Sequence, residues 1–268
     1  MISWCVNHGV CVNKCSEKNL TALHFAVFYG LIEIVRMLLD TGADYNKCDS
    51  IGRSPFMSAC IHGRTEIVKM LLDTGADYNK CDNSGCSPVV LACSKGHTEI
   101  VRMLLDAGAD YSKCDNSGCS PVIFACGEGY TEIVKVLLDT GADYNNCNNV
   151  GWSPVMCACR NGHTEIVRML LDIGADYNKC NNQGQSSLII ASERGHRDIV
   201  RVINEQFKKE QARKRRGHPK GRYSRKRRLD SSESDENVPL ARLKEKIKDD
   251  TLTKKRKGSR RSLRKSQR

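Results

Sequence analysis

The sequence predicts an all-α solenoid of short helix pairs followed by a basic, disordered tail. Three observations carry this expectation. The chain repeats itself every 33 residues, each repeat holds two helix patterns separated by a glycine, and the charge changes sign near residue 208. A fixed period of this length marks units that cannot bury an apolar face alone and must stack on their neighbours.

Five consecutive units fit without a gap, at 16–48, 49–81, 82–114, 115–147 and 148–180. A sixth starts in register at Asn181, then diverges and reads as a C-terminal cap ending at 207. The run His8–Cys15 matches the end of a unit, so residues 1–15 read as the second half of one. Trp4, Cys5 and Val6 would then lie uncovered, and either that end frays or the chain is part of something longer. The repeat body as a whole is expected over 1–207 and the tail over 208–268.

The third unit shows how each is built. Ser87 is suited to cap a helix and Pro88 to occupy its first position. The apolar run from Val89 to Cys93 forms that helix, which stops near Gly96. A second helix follows in "HTEIVRMLLD", where Thr98 is a candidate cap, Glu99 an acid in the first turn and Gly108 the stop. Ile100, Val101, Leu104 and Leu105 share one helical face. The run "ADYSKCDNSG" is rich in turn residues, enough for a hairpin-like loop.

The pattern closely resembles the ankyrin repeat, over about residues 1–207. The resemblance implies helix-turn-helix units with β-hairpin fingers, in which fingers and first helices line a concave binding face. The family's "TPLH" stands here as "TALH" at Thr21–His24, then as "SPFM", "SPVV", "SPVI" and "SPVM". The family's histidine ties a unit to its neighbour, and here it remains only as His24. Met57, Val90, Ile123 and Met156 put apolar contact in its place.

All 15 cysteines fall between Cys5 and Cys180. One column, Cys60, Cys93, Cys126 and Cys159, sits inside the first helices and reads as small core residues. A second, Cys15, Cys48, Cys81, Cys114, Cys147 and Cys180, sits at the fingers, and Cys86 and Cys119 lie five residues after two of its members. A zinc site needs four ligands at about 2.3 Å, whereas stacked fingers lie on the order of 10 Å apart. The reading is therefore reduced thiols, no metal, and a nuclear or cytosolic compartment. His97, His163 and His196 form another column between the helices, where hydrogen bonding is the expected role.

No nucleophile–base–acid set, phosphate loop or dinucleotide fingerprint is present, so neither catalysis nor a cofactor is expected. The start of the chain has no basic segment leading into an apolar one, as a secretory signal would, and no apolar run approaches the ~18 residues of a membrane span. The net charge of +12 divides unevenly, into −5 before Lys208 and +17 from Lys208 onward. Such an arm, poor in large apolar residues, suits an import receptor, an acidic partner or nucleic acid.

Function then has two readings. In the first, the chain is an adaptor that binds another protein on its concave face while the tail sets its location. In the second, the tail itself contacts nucleic acid or chromatin. Import residues fall in a bipartite-like set, Lys214 and Arg215 with Lys226, Arg227 and Arg228, and in a cluster of Lys254, Lys255, Arg256 and Lys257. The location expected is the nucleus, with the cytoplasm as the alternative. "KRRGHPKGR" at 214–222 resembles an AT-hook, with His218 in place of its central arginine.

For the adaptor reading, scaffold positions hardly vary between units, but the second, third, fifth, thirteenth and fourteenth do. These supply Arg53, Ile61, His62, Lys95, Glu128, Trp152, Arg160 and Asn161 as candidate partner-binding residues. Trp and Arg are hot-spot residue types; the competing reading of Trp152 is packing on its neighbouring finger. Ser232 lies in an acidic, phosphorylatable island. The family resemblance also implies asparaginyl hydroxylation, for which Asn46, Asn79, Asn145 and Asn178 carry a Leu eight residues before and an Asp two before.

Overall fold

The computed structural model describes residues 11–216, which form helix pairs in register with the 33-residue period. The pairs are α1 Ala22–Tyr29 with α2 Ile32–Asp40, α3 Pro55–Ile61 with α4 Thr65–Asp73, and α5 Pro88–Lys95 with α6 Thr98–Asp106. Then come α7 Pro121–Glu128 with α8 Thr131–Asp139, α9 Pro154–Asn161 with α10 Thr164–Asp172, and α11 Ser187–Glu193 with α12 Arg197–Arg216. First helices of consecutive units pack on one another, and so do second helices. One core therefore runs from Leu23 to Ile203.

The caps follow the sequence. The hydroxyls of Ser54, Ser87 and Ser153 accept from the amides of Met57, Val90 and Met156 at 3.3–3.4 Å, with proline at the next position. Ser120 has the same backbone but its buried hydroxyl makes no bond among the described residues. First helices are covered on both sides, so α5 is buried from Pro88 through Cys93. Met57, Val90, Ile123 and Met156 lie in this layer, as do Cys60, Cys93, Cys126 and Cys159. Second helices bury one stripe, Ile100, Val101 and Leu104 in α6.

Three expectations change. Thr98 is the first residue of α6 and the cap position belongs to His97. His97 makes no cap bond because its ring reaches back to the preceding unit, where Nε2 lies 3.0 Å from the carbonyl of Ile61. His163 and His196 repeat the contact on Gly127 and Arg160 at 3.0 and 3.1 Å.

The fingers are turns. No named strand occurs among the described residues, and the one isolated bridge is Cys180 with Ser186. The cause, from the second unit onward, is the Asp or Asn that opens the unit. Asp82 Oδ1 accepts from the amides of Ser84 and Cys86 at 2.9 and 3.0 Å, and the Asp82 amide donates to the Cys86 carbonyl at 3.0 Å. A side chain that closes the loop locally leaves a ladder of one rung. Neighbouring fingers are instead joined edge to edge: Asn83, Asn116, Asn149 and Asn182 each donate a backbone N–H to the preceding finger at 3.0–3.2 Å.

The boundary expected after Phe207 falls inside α12, which continues to Arg216. "KKEQARKRR" is made of strong helix formers, with no Gly or Pro before Gly217. The extension is also held from the body, where Tyr177 donates its hydroxyl to Glu210 at 2.9 Å. Residues 208–216 thus continue the last helix. The tail beyond them, and Trp4, Cys5 and Val6, lie outside the described residues.

Two glycine columns permit the close stacking. Gly118 has φ +77°, and a Cβ there would fall 2.4 Å from Asn149 Oδ1. Gly129 ends α7 with φ +86°, and a Cβ would fall 2.5 Å from His163 Cε1. Gly174 has φ +92° with nothing within 4 Å. Alanine at either Gly129 or Gly174 incurs the left-handed strain, about 1 kcal/mol. Gly129→Ala must also displace His163, and should cost about 1 kcal/mol more than Gly174→Ala. Urea midpoints of the full chain by far-UV circular dichroism test this; equal losses would mean the histidine contact contributes nothing.

Candidate partner-binding face

Stacking in register turns single positions into rows along the finger and first-helix side. The thirteenth position reads Phe28, Ile61, Ser94, Gly127, Arg160 and the fourteenth Tyr29, His62, Lys95, Glu128, Asn161. His62, Lys95, Glu128, Arg160 and Asn161 are exposed; Ile61 and Trp152 are half-buried.

The scaffold uses two of the candidates. Arg53 Nε donates to Asp82 Oδ2 at 3.2 Å, where the Asp82 side chain is only 2% exposed. The Arg53 carbonyl accepts from His24 Nε2 at 3.1 Å. Arg53 is therefore a bridge between units. Asn161 Nδ2 donates to the Gly127 carbonyl at 2.6 Å, which fixes its side chain across the boundary.

Two clusters remain. At one end the Phe28 ring meets Tyr29 edge-on at 5.1 Å and His62 at 4.7 Å. Phe25 and Phe28 are each 48% exposed and Tyr29 64%. Partial desolvation of the His62 ring, with Arg64 and His97 nearby, holds its imidazole below the ordinary range. Phe28 and Tyr29 are the first unit's members of the variable columns. Comparison of the candidate positions from the second unit onward misses them; carrying the columns back to 16–48 finds them. At the other end Arg160 lies over the Trp152 ring, 5.2 Å from its centroid. Beside them opens a pocket of about 330 Å³, bounded further by Gln185, Ile190, Glu193 and Arg194.

Several of the described thiols are shifted away from nucleophilic reactivity. Burial raises Cys86 to about 11 and Cys157 and Cys159 to about 12. A nucleophilic cysteine needs the opposite shift. The finger thiols donate to the carbonyl two residues back, as Cys48 does to Asn46 at 3.6 Å. Among the described residues no group of three or more His, Cys, Asp and Glu is placed to hold a metal, and no helix is long and apolar enough to cross a membrane.

The modification candidates divide. Asn46, Asn79 and Asn145 accept on Oδ1 from the amides of Asp77, Asp110 and Asp176, at 3.2, 3.0 and 2.9 Å, each in the next unit in line to meet it. Asn178 has no following loop and is exposed. Lys214 and Arg215 lie on α12. Lys226–Arg228, Ser232 and Lys254–Lys257 lie outside the described residues.

His24 generates a pH dependence. Its Nδ1 accepts from the Thr21 amide at 3.1 Å while Nε2 donates to Arg53, an arrangement of the neutral ring. Burial lowers its pKa below the unfolded value, against smaller opposing effects of the Arg53 carbonyl and Asp49. The unfolded chain then binds the proton more readily. This contribution is fully present above about pH 6.5 and is lost as pH falls through the window below it. Between pH 7.5 and 5, urea midpoints of the natural chain should fall more than those of His24→Gln. Parallel losses would remove His24 as the titrating group.

Residues 1–82, 56–148 and 141–213 match the family model described as ankyrin repeats in three copies. No curated protein matches the sequence.

Proposed function

This chain belongs to the ankyrin-repeat family, and from that premise we propose that it is a protein-binding adaptor or scaffold and not an enzyme. Ankyrin repeats are generic protein-interaction modules. The observation that supports a specific docking face is the contrast between positions. The second-helix positions Ile34, Ile67, Ile100, Ile133, Ile166 and Ile199 are the same in every unit, while the thirteenth and fourteenth positions change from unit to unit. Variation along the finger and first-helix side suits selection by a partner, and Trp152 with Arg160 offers an aromatic–cation anchor of the kind that dominates interfaces.

The full chain should capture a protein partner from a nuclear extract. Against that partner, Trp152→Ala should weaken binding by about 2 kcal/mol or more, measured by titration calorimetry, with little change in melting temperature. Unchanged affinity, or a large fall in melting temperature, would assign Trp152 to the scaffold.

We further propose that the basic tail directs the chain to the nucleus through an import receptor. The supporting feature is the density of cations at Lys226–Arg228 and Lys254–Lys257. Truncation after Arg216, which keeps α12 whole, should move a fluorescently tagged chain toward the cytoplasm in imaging. Continued nuclear accumulation would sink this reading. Nucleic acid is the second reading for the tail, supported by the +17 charge from Lys208 onward.

A further inference from the structure

We infer that the pocket beside Trp152 takes a carboxylate from the partner, an Asp or Glu side chain next to an apolar residue, and that Arg160 and Arg194 hold it. The inference rests on the reading of the finger and first-helix side as the protein-binding face. It adds the chemistry of what is bound there.

Neither arginine is required by the stacking. Arg160 occupies a column held elsewhere by Phe28, Ile61, Ser94 and Gly127, and Arg194 one held by Tyr29, His62, Lys95, Glu128 and Asn161. Both are exposed, and among the described residues neither guanidinium makes a hydrogen bond or ion pair. The one carboxylate of the pocket, Glu193, is already engaged. Asn181 Nδ2 donates to Gln185 Oε1 at 3.1 Å, and this turns Gln185 Nε2 onto Glu193 Oε2 at 2.7 Å.

The pocket therefore presents two guanidinium groups with no hydrogen-bonded or ion-paired partner among the described residues, a carboxylate with a fixed amide partner, and the half-buried Trp152 ring. A guanidinium fork matches a carboxylate with two parallel N–H bonds. The half-buried Trp152 ring supplies the apolar contact that a charge alone would lack. The pocket is also held firm beneath Arg160, whose carbonyl accepts from the His196 ring at 3.1 Å.

The test selects random linear peptides displayed on phage against the full chain. Enriched peptides should carry Asp or Glu beside an aliphatic or aromatic residue. In fluorescence anisotropy, synthetic versions should lose about ten-fold or more in affinity for the Arg160→Ala/Arg194→Ala double variant. Replacing the acidic residue by its amide should cause a similar loss on the natural chain and almost none on the double variant. Both arginines are exposed, so unchanged thermal unfolding of the variant accompanies this result.

Acidic peptides that bind the double variant as tightly would place the acid elsewhere, on the cationic tail for example, and overturn the inference. Enriched peptides that need Trp152 but contain no acid would overturn it while leaving the docking face standing. Failure to enrich any peptide that depends on Trp152 would remove both.

Discussion

Everything in the repeat body depends on one contact made at every boundary between units. A glycine ends the first helix in the left-handed conformation, and the residue before the next unit's second helix lies against it. Gly63 meets His97, Gly96 meets Tyr130, Gly129 meets His163 and Gly162 meets His196, each with room for no Cβ. The histidines then bond to a carbonyl near the end of the preceding first helix. At the three histidine boundaries the contact joins a backbone requirement, a packing requirement and a hydrogen bond at one point. It also fixes where each first helix stands relative to the next. That registration is what turns single residues into rows on a face.

The boundary carries further ties of different chemistry. Finger backbones join edge to edge, Asn46, Asn79 and Asn145 bridge the loops, and Arg53 pairs with a nearly buried Asp82. Each is modest alone, but stability in a stacked array is set by such nearest-neighbour terms. His24 makes a polar helix-to-finger tie, reaching the Arg53 carbonyl. The later units put Met57, Val90, Ile123 and Met156 at its position and lose the bond, which leaves their stacking to apolar burial and the finger joints.

The period, the helix pairs, the serine–proline starts and the two cysteine columns were all legible because local rules and the repeat agree on them. What was not legible depended on a partner supplied by another unit. Thr98 looks like a cap until His97 is seen to reach Ile61. The fingers look like hairpins until Asp82 is seen to close its own loop. Arg53 looks like a surface cation until Asp82 of the next unit takes it. The end of the body looks like Phe207 because apolar residues stop there, yet helix propensity and the Tyr177–Glu210 bond carry α12 further. Phe28 and Tyr29 were within reach of the column comparison and needed only its extension by one unit.

The outward face of the second helices argues for the same division of labour. Glu33, Glu66, Glu99, Glu132 and Glu165 form one row and Arg36, Lys69, Arg102, Lys135 and Arg168 another, three residues apart in every unit. Lys135 reaches Glu132 at 2.7 Å and Arg36 reaches Glu33 at 3.8 Å, all well exposed. Exposed pairs of this kind contribute little stability. The two rows are opposite in sign and keep that sign from unit to unit. The finger side is different in kind. There the aromatic group at Phe28 and Tyr29, the opposed charges of Lys95 and Glu128, and the Trp152 pocket follow one another without repetition. The thirteenth and fourteenth positions, which break the chain's periodicity most visibly, lie on that side.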